Sequence, residues 1–240
     1  ADYKYGLRML EGIQAKKHTF GFNTPSNFNE KLETKLLGEF NEYNALAVYA
    51  GLVLLGMDEE KVKGVMKTVE PPRGRFEHFI SKSGVLVIVD YAHKPDALEK
   101  IFQAVKEIAK VGHRQVPMSD FGRPKIISVF GCGGDRDPLK RPIMGKTGVV
   151  NSDITIFTSD NPRSEDPEKI IAEMKTSLSR EELQKVRTIS NRHEAIQEAV
   201  KIAQSGDIIL CAGKGHETYQ EINGEKIHFD DMEELQHAFI

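Results

Sequence analysis

The stretch "GVLVIVDYAHKPDALEKIFQAVKEIA", residues 84–109, decides the fold. Residues 85–89 are an unbroken β-rich run, the pattern of a strand covered on both faces. Pro95 suits a first helical turn, and Leu98, Ile101, Val105 and Ile108 then recur at helical spacing. A buried strand feeding an amphipathic helix begins a βαβ unit, and the alternation continues downstream. "KIISVFG", "ITIFTS", "VRTIS" and "DIILCAG" read as strands, with "PLKRPIMGKTGVV", "PEKIIAEMKTSL" and "RHEAIQEAVKIA" as helices between them. Asp166 and Pro167 mark one helix start, and Asn191 with Glu194 three residues on reads as a capping box. Asn223-Gly224 centres a hairpin, and "MEELQHAF" closes the chain as a helix. This order predicts an α/β fold: a Rossmann-like, mostly parallel sheet with helices on both faces. Ligands of such sheets bind at the carboxyl ends of the strands.

Upstream the pattern differs. The first 37 residues carry weak signals. "NEYNALAVYAGLVLLG", residues 41–56, is apolar almost all round and is expected to be a buried helix. "DEEKVKGVMKTV" places acids before lysines, as a helix dipole favours. "EPPRGRFE" then breaks the pattern, and the boundary falls at about residue 72. Two domains are expected, residues 1–71 and 72–240.

Composition sets outer limits. The 240 residues are 39% hydrophobic and 29% charged with a net charge of −3, so no global basic field points to nucleic acid. No apolar run reaches the length of a membrane span. Cys132 and Cys211 are the only cysteines, both expected in Gly-rich loops at strand ends, so a disulfide scaffold is excluded. A reducing cytosol is the simplest setting, and a monomer is expected.

Four loops follow four predicted strands and should converge on one edge. "DYAHKPDALEK" brings Asp90 and His93 to a strand end. "FGCGGDRDPLKRP" pairs three glycines with Arg136, Lys140 and Arg141 near a helix start, where anions bind well. It is not a dinucleotide fingerprint, because Arg136 stands where the third glycine belongs. "GKT" at 145–147 is no P-loop either, since Lys140 occupies the required glycine position. "SDNPRSEDP" holds Arg163 ahead of three acids. That arginine either forks a carboxylate bidentately or pairs with Glu165 or Asp166. "CAGKGHETYQ" sets Gly213 and Gly215 around Lys214, with His216 and Glu217 after them.

Taken in order, "GEFNEYNALAVYAG", "GRFE", "DYAHKPDALEK", "VFGCGGDRD" with "KRPIMG", "DNPRSEDP" and "GKGHETYQ" resemble the Mur ligases of bacterial cell-wall synthesis over residues 38 to 240. The last three motifs point to the branch that adds the third residue of the stem peptide. The resemblance implies the reaction. ATP phosphorylates the D-glutamate carboxylate of UDP-MurNAc-L-Ala-D-Glu, and an amino acid attacks the acyl phosphate, with Mg2+ offsetting charge. It also implies roles: Asn41 and Asn44 near the adenine, Arg75 at the phosphates, Asp90 at the ribose, His93 nearby. Arg75 and His93 are the catalytic candidates. Arg136, the loop of Asp160, Asn161, Pro162 and Arg163, and Gly213 and Glu217 match the amino-acid pocket. No residue of the chain is assigned to a metal.

By the same resemblance the chain is a C-terminal portion: a remnant of the central ATPase domain, then a nearly complete third domain. It contains no P-loop, so these 240 residues alone are expected not to turn over. The family divides between meso-diaminopimelate and L-lysine, which differ by one distal carboxylate. An unpaired buried arginine is costly, so Arg163 argues for diaminopimelate, with Glu217 taking the distal ammonium. A lysine-adding enzyme and a non-catalytic amino-acid-binding module remain the alternatives.

Overall fold

The computed structural model describes residues 2, 5–111 and 123–240. The chain divides into two units, Ala1–Pro71 and Pro72–Ile240. In the first, α1 (Glu39–Leu54) and α2 (Glu59–Met66) pack through Ala45, Leu46, Tyr49, Val62 and Met66, with Phe22, Phe28 and Leu32 completing the cluster. Asp58 caps α2 by accepting the Lys61 N–H. The expectation that α1 is buried all round is corrected here. Val48 and Leu54 are about half exposed and Leu55 is nearly fully so, because α2 and the preceding loops cover only one side of the helix.

The second unit is built on a six-stranded sheet. In chain order its elements are β1 (Glu77–Ile80), β2 (Leu86–Asp90), α3 (Pro95–Val111), β3 (Ile126–Phe130), α4 (Lys140–Asn151), β4 (Ile154–Phe157), α5 (Pro167–Lys175), α6 (Arg180–Leu183), β5 (Val186–Thr188), α7 (Arg192–Ile202) and β6 (Ile208–Ala212). A hairpin of β7 (Tyr219–Ile222) and β8 (Glu225–His228) and the helix α8 (Asp231–Ala238) follow. The spatial order is β1-β2-β6-β3-β4-β5, parallel throughout except for β1, which pairs antiparallel with β2. β1 has no counterpart in the sequence reading, since "EHFI" is short and half polar. Cys211 lies within β6, not in a loop as expected.

Helices cover both faces. Val87, Val89, Ile127, Val129, Ile156 and Ile209 meet Ala195, Ile196 and Ala199 of α7 and Met232 and Leu235 of α8. Leu86 and Ile88 point the other way by strand alternation, toward the face where α3, α4 and α5 pack in sequence. All of β2, β3 and β6 is buried, which explains the unbroken Val/Ile runs. Asn191 caps α7 by accepting the N–H groups of His193 and Glu194.

Candidate functional site

The sheet order decides where chemistry collects. β2, β6, β3 and β4 are neighbours, so the loops at their carboxyl ends lie side by side. Together they enclose an open cavity of about 280 Å3 lined by His93, Arg136, Asp160, Asn161, Arg163, Gly213 and Glu217, along with Tyr91, Cys132 and the lysines Lys94 and Lys140. Seven of the residues expected from sequence therefore meet in one place. Pro162 frames the loop from behind, where its carbonyl crowds Gly134: a Cβ on Gly134 would lie 1.9 Å from Pro162 O. That approach explains the glycine.

Asn161 is the hub of one wall. It is buried, its Nδ2 donates to Glu217 Oε2 at 2.8 Å, and its Oδ1 accepts from Lys214 Nζ at 3.0 Å and the Glu221 N–H at 3.0 Å. Lys214 Nζ also lies 3.2 Å from Glu217 Oε2. Gln220 Nε2 donates to the Asp160 carbonyl at 2.6 Å, tying the β7 strand to the same loop. Gly213, with φ 112°, brings the β6 loop so close to Asp160 that a Cβ would stand 2.6 Å from Asp160 Oδ2.

Arg163 has φ 53°, an unusual backbone for a residue with a side chain. Its N–H donates to Glu221 O at 3.0 Å and its own carbonyl accepts from Asn223 N at 2.7 Å, so the β7 strand and hairpin hold it there. Nη1 donates to Gly134 O at 2.8 Å, and Nε lies 3.5 Å from Glu221 Oε2. Nη2 has no hydrogen-bond partner among the described residues. The pairing with Glu165 or Asp166 weighed from sequence does not occur. Asp166 caps α5, and Glu165 grips Arg141 in a two-point pair of 2.9 and 2.7 Å. The Asp135 N–H also donates to Glu165, and with Arg141 it draws the Glu165 carboxyl down to about 2.

That pair corrects a second expectation. Arg141 is fully buried and also bonded to Glu173 at 2.7 Å, so it is a brace between α4 and α5 and not a cation for an incoming anion. A similar brace lies below the cavity. Arg192, the first residue of α7, is fully buried against Asp231, with Nε–Oδ1 and Nη2–Oδ2 both 2.7 Å. Its Nη1 and Nη2 also donate to Ser159 O at 3.3 Å and Ala212 O at 3.1 Å, the carbonyls that precede two of the cavity loops. The sequence reading has no role for Arg192, whose partner Asp231 lies 39 residues on, and it names Arg141 and Lys214 without the buried partners that hold them.

The Tyr91 side of the cavity is looser, and Arg75 stands beyond the lining residues, against Tyr91. Arg75 is exposed and its guanidinium lies 4.8 Å over the ring of Tyr91, whose ring centre stands 4.6 Å from His93 and 4.9 Å from His216. Asp90 is buried, its two oxygens accepting the Phe76 and Ala92 N–H groups at 2.8 Å each, and burial pushes its carboxyl up. Lys140 Nζ donates to His93 O at 3.3 Å. Arg136 is exposed, with a single bond to its neighbour's carbonyl. Burial pushes the Cys132 thiol up to about 12, so it lines the cavity as an inert group. Asn41 and Asn44 lie on α1 in the first unit, joined by a 3.2 Å bond from Asn44 Nδ2 to Asn41 Oδ1. Among the described residues no cluster of three His, Cys, Asp or Glu could hold a metal, and no helix is long and apolar enough to cross a membrane.

Comparisons with known proteins bear on the family and the fold. The model of the Mur ligase glutamate ligase domain matches residues 74–215. The chain is 42% identical over 255 positions to the UDP-N-acetylmuramoyl-L-alanyl-D-glutamate--2,6-diaminopimelate ligase of Phocaeicola vulgatus, covering 99% of this chain and 50% of that protein. A solved structure of a ligase with that name aligns at a TM-score of 0.63 and 38% identity, over 87% of this chain and 40% of the other. The UDP-N-acetylmuramate-alanine ligase of Thermotoga maritima shares the fold at a TM-score of 0.56 and 21% identity, over 86% and 38%. The chain spans about half the length of the curated relatives it matches.

Proposed function

The chain belongs to the Mur ligase family, and from that premise we propose that it carries the amino-acid-binding part of an ATP-dependent ligase of peptidoglycan synthesis. The reaction proposed for the whole protein joins meso-diaminopimelate to UDP-MurNAc-L-Ala-D-Glu in the cytoplasm. Residues 72–240 are its amino-acid-binding domain and residues 1–71 part of its ATP-binding domain.

One observation carries this reading. Arg163 and Glu217, of opposite charge, are held on one cavity by the same asparagine and strand, as a ligand with a distal carboxylate and a distal ammonium requires. Arg163 meets the carboxylate through Nη2, with Asn161 beside it, and Glu217 meets the ammonium through Oε1. Arg136 and Asp160 face the amino-acid end, with Gly213 leaving them room. Relatives at 42% identity are named for 2,6-diaminopimelate, which supports that choice over lysine.

The residues suit the phosphate end of a nucleotide. Arg75 has its guanidinium stacked and without a hydrogen-bond partner among the described residues, and His93, Lys94 and Lys140 stand on the same side. When bound, ATP supplies the phosphoryl group that activates the substrate carboxylate. These side chains then counter the charge that develops as phosphate leaves and the C–N bond forms, the amine losing its proton. Asn41 and Asn44 are assigned to the adenine. Asp90 already accepts two N–H bonds, and its remaining lone pairs are what a ribose hydroxyl would use. Mg2+ belongs to the reaction, but this chain offers it no ligand cluster among the described residues.

Titration of the 240-residue chain with meso-diaminopimelate and with L-lysine tests the reading. Tighter binding of diaminopimelate, abolished in Arg163→Ala, is expected. Equal affinity for the two would refute the assignment.

A further inference from the structure

Lys214 has no part in the reading above, yet it is the most constrained charge at the cavity. It is fully buried, and its flanking glycines, with φ of 112° and 55°, let the backbone turn so that the side chain runs inward. Its ammonium lies 3.0 Å from Asn161 Oδ1, 3.2 Å from Glu217 Oε2, and 5.6 Å from the centre of the Tyr219 ring. Oε2 receives a second bond from Asn161 Nδ2. Glu217 is thereby held by one oxygen, and Oε1 has no hydrogen-bond partner among the described residues. The amide of Asn161 is locked as well, since its oxygen takes both Lys214 and the Glu221 N–H while its nitrogen faces the carboxylate.

We infer that Lys214 is a positioning residue that sets the charge selectivity of the cavity by half-neutralising Glu217 from beneath. The inference rests on the amino-acid-binding reading and adds a specific electrostatic consequence. With Lys214 in place, Glu217 fixes a ligand ammonium at one point while the cavity keeps enough positive potential, with Arg163 and Arg136, to accept a second carboxylate. Without it the cavity loses one positive charge directly beside Glu217. Diaminopimelate is neutral overall near pH 7, with two ammonium and two carboxylate groups, whereas lysine carries a net positive charge. Loss of a buried cation therefore disfavours the first relative to the second. A residue that merely held the loop in shape would weaken both ligands alike.

The test compares dissociation constants for meso-diaminopimelate and L-lysine by calorimetry in the whole chain and in two neutral variants. Lys214→Met keeps the side-chain length. Lys214→Gln retains a donor for Asn161 Oδ1 and serves if the methionine variant does not fold. In either variant the preference for diaminopimelate should fall by roughly tenfold or more, because lysine gains affinity relative to diaminopimelate. Equal weakening of both ligands, or an unchanged preference, would overturn the inference and leave the pocket assignment standing. If the unaltered chain shows no preference, the pocket assignment itself fails, and the role of Lys214 with it.

Discussion

The cavity has two unlike walls. On one, from the loops after β4 and β6, Asn161, Lys214, Glu217 and Arg163 are interlocked, and the carbonyls beneath them are held by the buried Arg192–Asp231 pair. On the other, Arg136 and, beyond the lining, Arg75 are exposed, and the cations have few fixed partners. The difference teaches where pre-organisation is useful. Groups that select a ligand by its charges gain from being fixed before it arrives, because ordering them later would subtract from affinity. Arg75, the residue proposed for the phosphates, keeps its donors free and is left facing solvent.

The largest test of this contrast strikes the support of the ordered wall. Arg192→Met strands the Asp231 carboxylate and should cost about 3–5 kcal/mol in urea unfolding, with much of it recovered in the Arg192→Met/Asp231→Leu double variant. A loss below about 1 kcal/mol would show that the wall does not depend on the pair. Next, Arg163→Ala should weaken diaminopimelate binding by about 1.5–3 kcal/mol, the range for a charged hydrogen bond, while Arg136→Ala costs about 1 kcal/mol or less. Reversal of that order in calorimetry would place the fixed wall on the wrong side. Gly134→Ala forces a Cβ onto the Pro162 carbonyl and should destabilise by about 1–3 kcal/mol, again by urea midpoint.

Acid gives a smaller effect. The Glu165 carboxyl is drawn from 4.5 to about 2, so its contribution is present above about pH 4.5 and disappears as pH falls toward 2. The gap in melting temperature between the chain and Glu165→Gln should therefore close across that interval. Last, Arg75→Ala should leave stability within about 0.5 kcal/mol of the parent, as the open wall requires.

What was legible in the sequence follows the range of the forces involved. The parallel sheet could be read because strands buried on both faces must be continuously apolar, as residues 85–89 and 208–212 are. The caps at Asp166 and Asn191 could be read because their bonds span two or three residues. Strand direction put the loops on one edge, while the sheet order that sets them side by side needed the structure. Charges with distant partners could not be read. Arg141 looks like an anion ligand beside Lys140 until Glu165 and Glu173, 24 and 32 residues on, are seen to claim it. Arg163 looks crowded by the acids next to it, whereas its ionic neighbour is Glu221, across a strand pairing that no local pattern announces. α1 misled for a related reason: its composition is apolar all round, but within the first unit α2 and the loops pack against one side of it.

The place of β6 has a consequence for how the molecule is made. In the six-stranded sheet it comes last along the chain, yet it sits between β2 and β3, pairing Leu86 with Ile208 across more than a hundred residues. A chain emerging from the ribosome must hold β2 and β3 apart, with their apolar edges unpaired, until residues 208–212 arrive to join them. The same segment delivers Gly213, Lys214 and Glu217. The cavity and the sheet are therefore completed in one step, and no shorter nascent chain can present the cavity.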